Sequence, residues 1–136
     1  MSADRTIYDP LRRKEVAATP EEQVRQWFIG VLGSVAAVPA HMMMSEASLK
    51  LGAKNWRADI LVYDRNASPL AVVECKRPDV ALDAKVAAQA VRYNKVLNVS
   101  WIILTNGSST LVWKRVGDNF VTYSELPNYE QMLCQR

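Results

Sequence analysis

The sequence predicts an α/β fold in which a mixed central β-sheet is flanked by helices. Apolar residues recur with the helical period in 20–35 and 82–97, whereas short runs rich in Val, Ile and Leu lie between and after these stretches. A strand followed by a helix and another strand favours a mixed sheet with helices packed on it. The length of 136 residues and the hydrophobic content of 49% suit one domain, residues 1–136, with a packed core.

The composition argues against several classes of protein. The longest apolar stretch, residues 31–44, is interrupted by polar and helix-breaking residues and is too short for a bilayer span of about 20 residues. Cys75 and Cys134 are too few and too far apart for a disulfide framework or a zinc site. We therefore expect a cytoplasmic protein without a membrane partner. The net charge of +3 is compatible with a polyanionic partner but does not require one.

An irregular polar arm is expected over residues 1–18, and the first helix begins directly after it. Thr19 is suited to the N-cap, and Pro20 fits the first helical position. Glu22 stands where a capping box places its carboxylate. Apolar side chains follow at helical spacing from Val24 to Val35, which predicts an amphipathic helix.

Three strands are expected next, and the last two form a hairpin. The turn between those two has the composition Asp-Arg-Asn-Ala-Ser-Pro, which is typical of hairpin turns. The three predicted strands cover residues 42–51, 57–63 and 70–76.

The second helix is predicted over Leu82–Leu97, because this stretch is rich in Ala, Lys and Val. Asn106-Gly107 is a strong hairpin signal, and a second turn follows at residues 117–119. These turns separate three further predicted strands, and a short helix is expected after Pro127. The three strands cover residues 101–105, 110–114 and 120–123.

Two carboxylates fall on facing strands of the first predicted hairpin. If its turn is symmetric, Tyr63 pairs with Leu70 and Asp59 lies directly opposite Glu74. Lys76 shares their face, because side chains alternate along a strand. Opposed like charges in apolar strands are destabilising unless a positive charge lies between them.

Two interpretations of this arrangement are open. In the first, Lys76 forms an internal salt bridge with one acid and solvent hydrates the other. In the second, a divalent cation binds both carboxylates, because Mg²⁺ is usually held by one or two carboxylates together with water and phosphate oxygens. An oxygen-ligand metal site beside a lysine is suited to attack on a phosphodiester.

Five short segments of the sequence occur in an order that is typical of one protein family. They are residues 19–22 with 24–26, 57–60, 74–78, Gln89 with 92–94, and 105–107. Together they resemble the N-terminal nuclease domain of type I restriction enzyme R subunits, which belongs to the PD-(D/E)xK nuclease superfamily. The resemblance covers about residues 8 to 125.

The resemblance implies a restriction-endonuclease-like fold and Mg²⁺-dependent hydrolysis of DNA phosphodiester bonds, with Mn²⁺ as an alternative ion. It implies that Asp59 and Glu74 bind the metal, and that Lys76 orients or activates the attacking water. A glutamate of the first helix often completes such a site. Glu21 is our choice for that third ligand, because it lies beside the apolar stripe while Glu22 points away. Glu46 is a weaker candidate.

The second helix supplies further candidates. Gln89 and Tyr93 stand four residues apart, so they share one helix face, and the resemblance implies that this pair helps to position DNA and active-site groups. Arg92 lies along the neighbouring face, from which it could contact phosphate. Ordinary packing of the helix on the sheet is the alternative for Gln89 and Tyr93.

DNA is the partner that the resemblance implies, and a homodimer and separate motor or specificity subunits are further expected partners. The sequence contains no Gly-x-x-x-x-Gly-Lys-Ser/Thr loop, so no ATP-driven motor is expected within it. The alternative function is a DNA-binding or partner-binding module of the same fold, weak or inactive in catalysis, within a larger restriction or repair complex.

Overall fold

The computed structural model describes residues 5–134, so the first four residues of the expected arm lie outside the described part. Within 5–134 a six-stranded mixed sheet is flanked by helices and preceded by a two-stranded hairpin, which confirms the predicted fold class. The helices are α1 (Pro20–Ser34), α2 (Ala84–Asn94) and α3 (Tyr129–Leu133). The strands are β1 (Thr6–Asp9), β2 (Lys14–Ala17), β3 (Met43–Leu51), β4 (Lys54–Tyr63), β5 (Pro69–Cys75), β6 (Trp101–Thr105), β7 (Thr110–Val116) and β8 (Asn119–Tyr123).

The six strands of the main sheet lie in chain order from β3 to β8. Within the described residues, β5 and β6 are the parallel pair of this sheet, and the other neighbours are antiparallel. The parallel pair is joined through α2, as a crossover between parallel strands requires. The central strands are therefore covered on both faces, and their side chains form two core layers.

Alternation along the strands divides the core between the two faces. Ile103 packs in the layer that contains α1 and α3, whereas its neighbours Ile102 and Leu104 pack in the layer that contains α2. All three side chains are fully buried. The near-continuous apolar sequence of β6 reflects burial on both faces, as in other parallel strands.

The N-terminal arm is not irregular over residues 6–17, so that expectation is wrong there. β1 and β2 pair from Thr6 with Ala17 to Asp9 with Lys14. Oδ1 of Asp9 accepts hydrogen bonds from the backbone N–H groups of Leu11 and Arg12, at 2.8 and 3.2 Å, which shapes the turn. The strands have four residues each and lack an apolar alternation, so the sequence pattern does not reveal them.

The register of the β4–β5 hairpin differs at its turn from the symmetric arrangement. Tyr63 pairs with Pro69 rather than Leu70, because a bulge lies between Val62 and Tyr63. Beyond the bulge, Ile60 pairs with Val73, which is the predicted register. Asp59 and Glu74 are the next residues along the two strands, so they remain on facing positions.

The helix starts follow the capping residues of the sequence. Oγ1 of Thr19 accepts a hydrogen bond from the backbone N–H of Glu22 at 3.1 Å, as an N-cap does. Asp83 caps α2 in the same way through the N–H of Val86, so α2 begins at Ala84. It ends at Asn94, before the predicted end at Leu97. None of the helices in the described part combines the length and apolar character that crossing a membrane requires.

Candidate active site

An open cavity of about 260 Å³ lies beside the middle of β4 and the end of β5, and it contains three of the acids singled out from the sequence. Asp59 comes from β4, and Glu74 and Lys76 come from β5 and the residue after it. Glu21 reaches the same cavity from the first turn of α1. Tyr93 and Asn94 line it from the end of α2, so residues of four elements, α1, β4, β5 and α2, meet here.

Asp59 is held from two sides. Its Oδ2 accepts a hydrogen bond of 2.7 Å from the backbone N–H of Cys75, and its Oδ1 lies 3.6 Å from Nη2 of Arg25. Burial raises the pKa of Asp59 above its ordinary value, although the Cys75 N–H and the Arg25 charge act in the opposite direction. The nearby charges of Glu21 and Glu74 raise the pKa further. A bound cation would lower the pKa of Asp59, against the effects of burial and of the neighbouring acids.

Glu74 is engaged on both carboxylate oxygens. Nζ of Lys76 lies 2.9 Å from Oε2, and Nδ2 of Asn94 donates to Oε1 at 3.1 Å. The hydrogen bond to Glu74 raises the pKa of Lys76, so this side chain is an ammonium group at neutral pH. The salt bridge expected under the first interpretation is therefore present between Glu74 and Lys76.

Asn94 is a site residue that the sequence interpretation did not select. Its side chain is 2% exposed, and its Nδ2 also donates to the backbone oxygen of Ala90 at 2.8 Å. These two bonds fix the amide against Glu74. Its place directly after Tyr93 in a family motif was the available signal, but nothing in the sequence showed that it faces the acids.

The first helix presents Glu21 to the cavity, as expected, but the interpretation of Glu22 is wrong. Glu22 does not point away: it is 7% exposed, and both of its oxygens accept hydrogen bonds of 2.9 Å from Nη2 of Arg12. Gln26 donates to it as well, at 2.9 Å. The cause is the unforeseen β1–β2 hairpin, which carries Arg12 over this side of α1.

Glu46 lies outside the set of described residues that line the cavity. Its backbone has a φ of 55°, and its carboxylate lies 3.2 Å from Nη1 of Arg25 and 2.9 Å from Nη2 of Arg57. Burial raises the pKa of Glu46, but the nearby guanidinium of Arg25 and the charge of Arg57 outweigh it and lower the pKa. Glu46 is therefore a partner of arginines in this structure.

The candidates on α2 separate into different places. Tyr93 lines the cavity, accepts a hydrogen bond of 3.3 Å from the backbone N–H of Arg57, and packs edge-on against Trp56. Gln89 is exposed and is not among the described residues that line the cavity, so the packing of α2 on the sheet does not bury it. Arg92 lines a separate depression with Lys95.

The donor chemistry of the cavity fits an oxygen-preferring divalent ion. Carboxylates of Glu21, Asp59 and Glu74 line one cavity, and Mg²⁺ needs one or two such groups together with water. No three acidic, His or Cys side chains of residues 5–134 come together as a complete metal-binding cluster. An ion here would therefore rely on water and substrate oxygens, and it would compete with Lys76 for Glu74.

The comparisons with known proteins point in one direction. A family model for the N terminus of type I restriction enzyme R proteins matches residues 20–127. A fragment structure described as an HsdR subunit of a type I restriction enzyme from Vibrio vulnificus is similar, with a TM-score of 0.61 and 19% identity over 85% of this chain. The chain spans 25% of that structure's length.

A second solved structure shares the fold. It comes from Anabaena variabilis, is described as a nuclease, and has a TM-score of 0.50 and 15% identity, with 88% of this chain and 76% of that one covered. None of the curated proteins matches the sequence significantly.

Proposed function

The chain belongs to the family of type I restriction enzyme R protein N termini, and from this premise we propose that it is a Mg²⁺-dependent endonuclease that hydrolyses DNA phosphodiester bonds. The observation that carries the proposal is the convergence of Asp59, Glu74 and Lys76 on one open cavity, which Glu21 also lines. The sequence separates these residues widely, and the fold brings them to one place.

Each side chain has a distinct role in this proposal. Asp59 and Glu74 hold the ion, with Glu21 as the third carboxylate and Mn²⁺ as an alternative metal. When bound, the ion polarises the phosphate and lowers the pKa of a bound water. Lys76, as an ammonium group, donates hydrogen bonds that orient the attacking water and stabilise the negative charge on the phosphate. Asn94 fixes the carboxylate of Glu74.

Tyr93, Gln89 and Arg92 are proposed to support DNA binding rather than chemistry. Tyr93 stands at the cavity, while Gln89 and Arg92 lie on exposed parts of α2 from which they would contact the DNA beside the cut. We further propose a cytoplasmic protein. Cutting both strands of a duplex requires two active sites, so we propose a homodimer, and motor or specificity subunits are proposed as separate partners.

One observation favours a second candidate function, a catalytically inactive binding module. Both oxygens of Glu74 are engaged by Lys76 and Asn94, so that acid is partnered without a metal. Such a module would bind DNA with an affinity that falls steeply with salt, because each phosphate contact releases counterions, and it would show no turnover with any divalent ion.

Cleavage of circular DNA separates the two candidates. Supercoiled duplex and circular single-stranded DNA are incubated with Mg²⁺ or Mn²⁺ and with wild type, Lys76→Ala or Lys50→Ala protein. Circles exclude attack from free ends, and Lys50, an exposed lysine of β3, is the matched control. We expect wild type and Lys50→Ala to cut and Lys76→Ala to fail.

Equal cutting by wild type and Lys76→Ala would contradict the assignment of the site. Absence of cutting by every variant, together with salt-sensitive DNA binding, would leave the binding module as the function. Nicking without linearisation of the duplex would contradict the homodimer.

A further inference from the structure

A buried arginine stands between the cavity and the N-terminal hairpin, and neither the family resemblance nor the proposed mechanism gives it a role. Arg25 lies on α1, four residues after Glu21, so both side chains are on the same helix face. Its side chain is 4% exposed. A buried guanidinium must be compensated by carboxylates, because burying an unpaired charge is very costly.

Three carboxylates share this one guanidinium. Nη2 lies 3.6 Å from Oδ1 of Asp59, Nη1 lies 3.2 Å from Oε2 of Glu46, and Nε lies 3.7 Å from Oε2 of Glu22. Nε and Nη1 make no hydrogen bond of normal geometry within the described structure. Arg25 is therefore held mainly by the negative charges around it. Its positive charge is shared among three carboxylates, so only a part of it compensates Asp59.

Both oxygens of Asp59 are oriented by this arrangement. The backbone N–H of Cys75 holds Oδ2 at 2.7 Å, and Arg25 faces Oδ1 from the opposite side. One contact comes from β5 and the other from α1. Removal of Arg25 would leave the carboxylate with the hydrogen bond from Cys75 and without this positive charge beside Oδ1.

The place of Arg25 depends in turn on the hairpin. Arg12 binds both oxygens of Glu22 at 2.9 Å and also pairs with Asp9, which is completely buried. Glu22 thereby faces Arg25 as a fixed negative charge. Arg12 and Asp9 lie before residues 20–127, so this support comes from outside the region that the family model matches.

We propose that Arg25 is a positioning residue for Asp59, and that the hairpin fixes Arg25 through Arg12 and Glu22. The guanidinium holds the carboxylate in the orientation that faces the cavity, and sharing with Glu46 and Glu22 leaves Asp59 with negative charge to attract a cation. The consequence for catalysis rests on the proposed nuclease function, whereas the orientation of Asp59 does not.

The Cys75 amide reports this orientation directly. A hydrogen bond to a carboxylate moves an amide proton resonance downfield, so ¹H–¹⁵N spectra of the full chain follow the contact to Asp59. The Asp59→Ala protein gives the resonance position of the Cys75 amide when it makes no hydrogen bond to Asp59. We expect Arg25→Gln to move the Cys75 resonance toward that position, Arg12→Gln to move it less in the same direction, and Arg25→Lys to restore part of the shift.

Cleavage at saturating Mg²⁺ gives the second readout. Loss of a residue that orients a metal ligand typically costs 10- to 100-fold in activity, so we expect kcat of Arg25→Gln to fall by about that factor while KM for DNA changes little. Arg25→Lys should recover part of the rate. A role confined to fold stability would lower the amount of folded enzyme without moving the Cys75 resonance of the folded fraction.

Arg13→Gln is the matched control, because Arg13 is exposed and adjoins Arg12. Its spectrum and rate should equal those of wild type. If Arg25→Gln does not fold, Arg12→Gln decides the question. The inference is overturned if the Cys75 resonance of the Arg25→Gln and Arg12→Gln proteins stays where it is in the Arg13→Gln protein. If the resonance shifts but the wild type never cleaves DNA, the inference holds and the nuclease function is refuted.

Discussion

Asp59 is the side chain at which stability and the proposed function conflict most directly. It sits among apolar strand residues, shares its cavity with two other acids, and has a raised pKa because it is buried. In the folded protein its ionised form is therefore less favourable than in the unfolded chain. The fold tolerates this because the Cys75 N–H and Arg25 hold the charge in place.

Replacement of Asp59 by Asn should separate the two properties. The amide cannot hold a cation, so cleavage should fall by roughly 1,000-fold, a loss of about 4 kcal/mol of transition-state stabilisation. Because the pKa of Asp59 is raised in the folded state, the free energy of unfolding of wild type falls as pH rises through that pKa. The amide of the variant does not ionise, so the variant does not lose this stability. At pH 7 the variant should therefore unfold at equal or higher urea concentration than wild type.

The exposed Asp118→Asn is the control for this experiment. Wild-type cleavage by Asp59→Asn would remove Asp59 from the site. Loss of cooperative unfolding would show that its role is structural.

The pKa of Asp9 is shifted in the opposite direction to that of Asp59. Burial would raise its pKa, but hydrogen bonds from the Arg12 side chain and from the N–H groups of Leu11 and Arg12 outweigh it and lower the pKa to about 2. A lowered pKa contributes stability that is present above the ordinary value near 3.8 and is lost as pH falls through about 2. From this shift in pKa we expect a contribution of about 2 kcal/mol to the free energy of unfolding at neutral pH.

Urea unfolding of wild type and Asp9→Asn between pH 7 and pH 2 tests this contribution. We expect wild type to be more stable by about 2 kcal/mol at pH 7, and the difference to shrink between pH 4 and pH 2. A difference that does not vary with pH would mean that packing, and not the charge, accounts for the role of Asp9.

At the scale of elements, the start of α1 matters because it carries Glu21 into the cavity. Thr19→Ala removes the acceptor for the N–H of Glu22 and should lower the free energy of unfolding by about 1 kcal/mol. Thr19→Ser keeps the hydroxyl and should restore most of it. Urea titrations of the three proteins measure the difference, and equal losses in both variants would mean that the hydroxyl is not the cause.

The elements themselves could be predicted from sequence wherever a local signal defined them. Thr19-Pro20 marks the start of α1, Asn106-Gly107 marks a turn, and the apolar runs mark β4 to β6. The register beyond the β4 bulge was also correct, so Asp59 and Glu74 were placed on facing positions.

The parts that were missed depend on long-range contacts. Glu22 is buried because Arg12 of the hairpin reaches it, and Asn94 faces Glu74 because α2 docks on the sheet beside β5. Trp27 fits the apolar stripe of α1, yet its side chain is 47% exposed. A helical period states which residues share a face, but it does not state which part of that face the rest of the chain covers.

At the scale of the whole molecule, the two core layers share the strands of one sheet. Ile103 contributes to one layer and Leu104 to the other, and both are fully buried on β6. A change in either layer should therefore affect the same folding unit, which is what the prediction of one domain requires.

Ile103→Ala and Leu104→Ala should each lower the free energy of unfolding by about 3 kcal/mol. Tryptophan fluorescence and far-UV circular dichroism should report the same urea midpoint for each variant, because unfolding is cooperative. The exposed Val121→Ala should change stability by less than about 0.5 kcal/mol. Separate midpoints for the two probes would mean that the layers unfold independently.

The parallel pairing of β5 with β6 also has a consequence for synthesis on the ribosome. β5 ends at Cys75, and its partner begins at Trp101, after the whole of α2. At 5–20 residues per second, an emerging chain presents β5 with an open edge for roughly one to five seconds before β6 exists. The apolar edge of an unpaired strand is a template for aggregation. The yield of folded protein is therefore expected to depend on how quickly the ribosome translates residues 76–101.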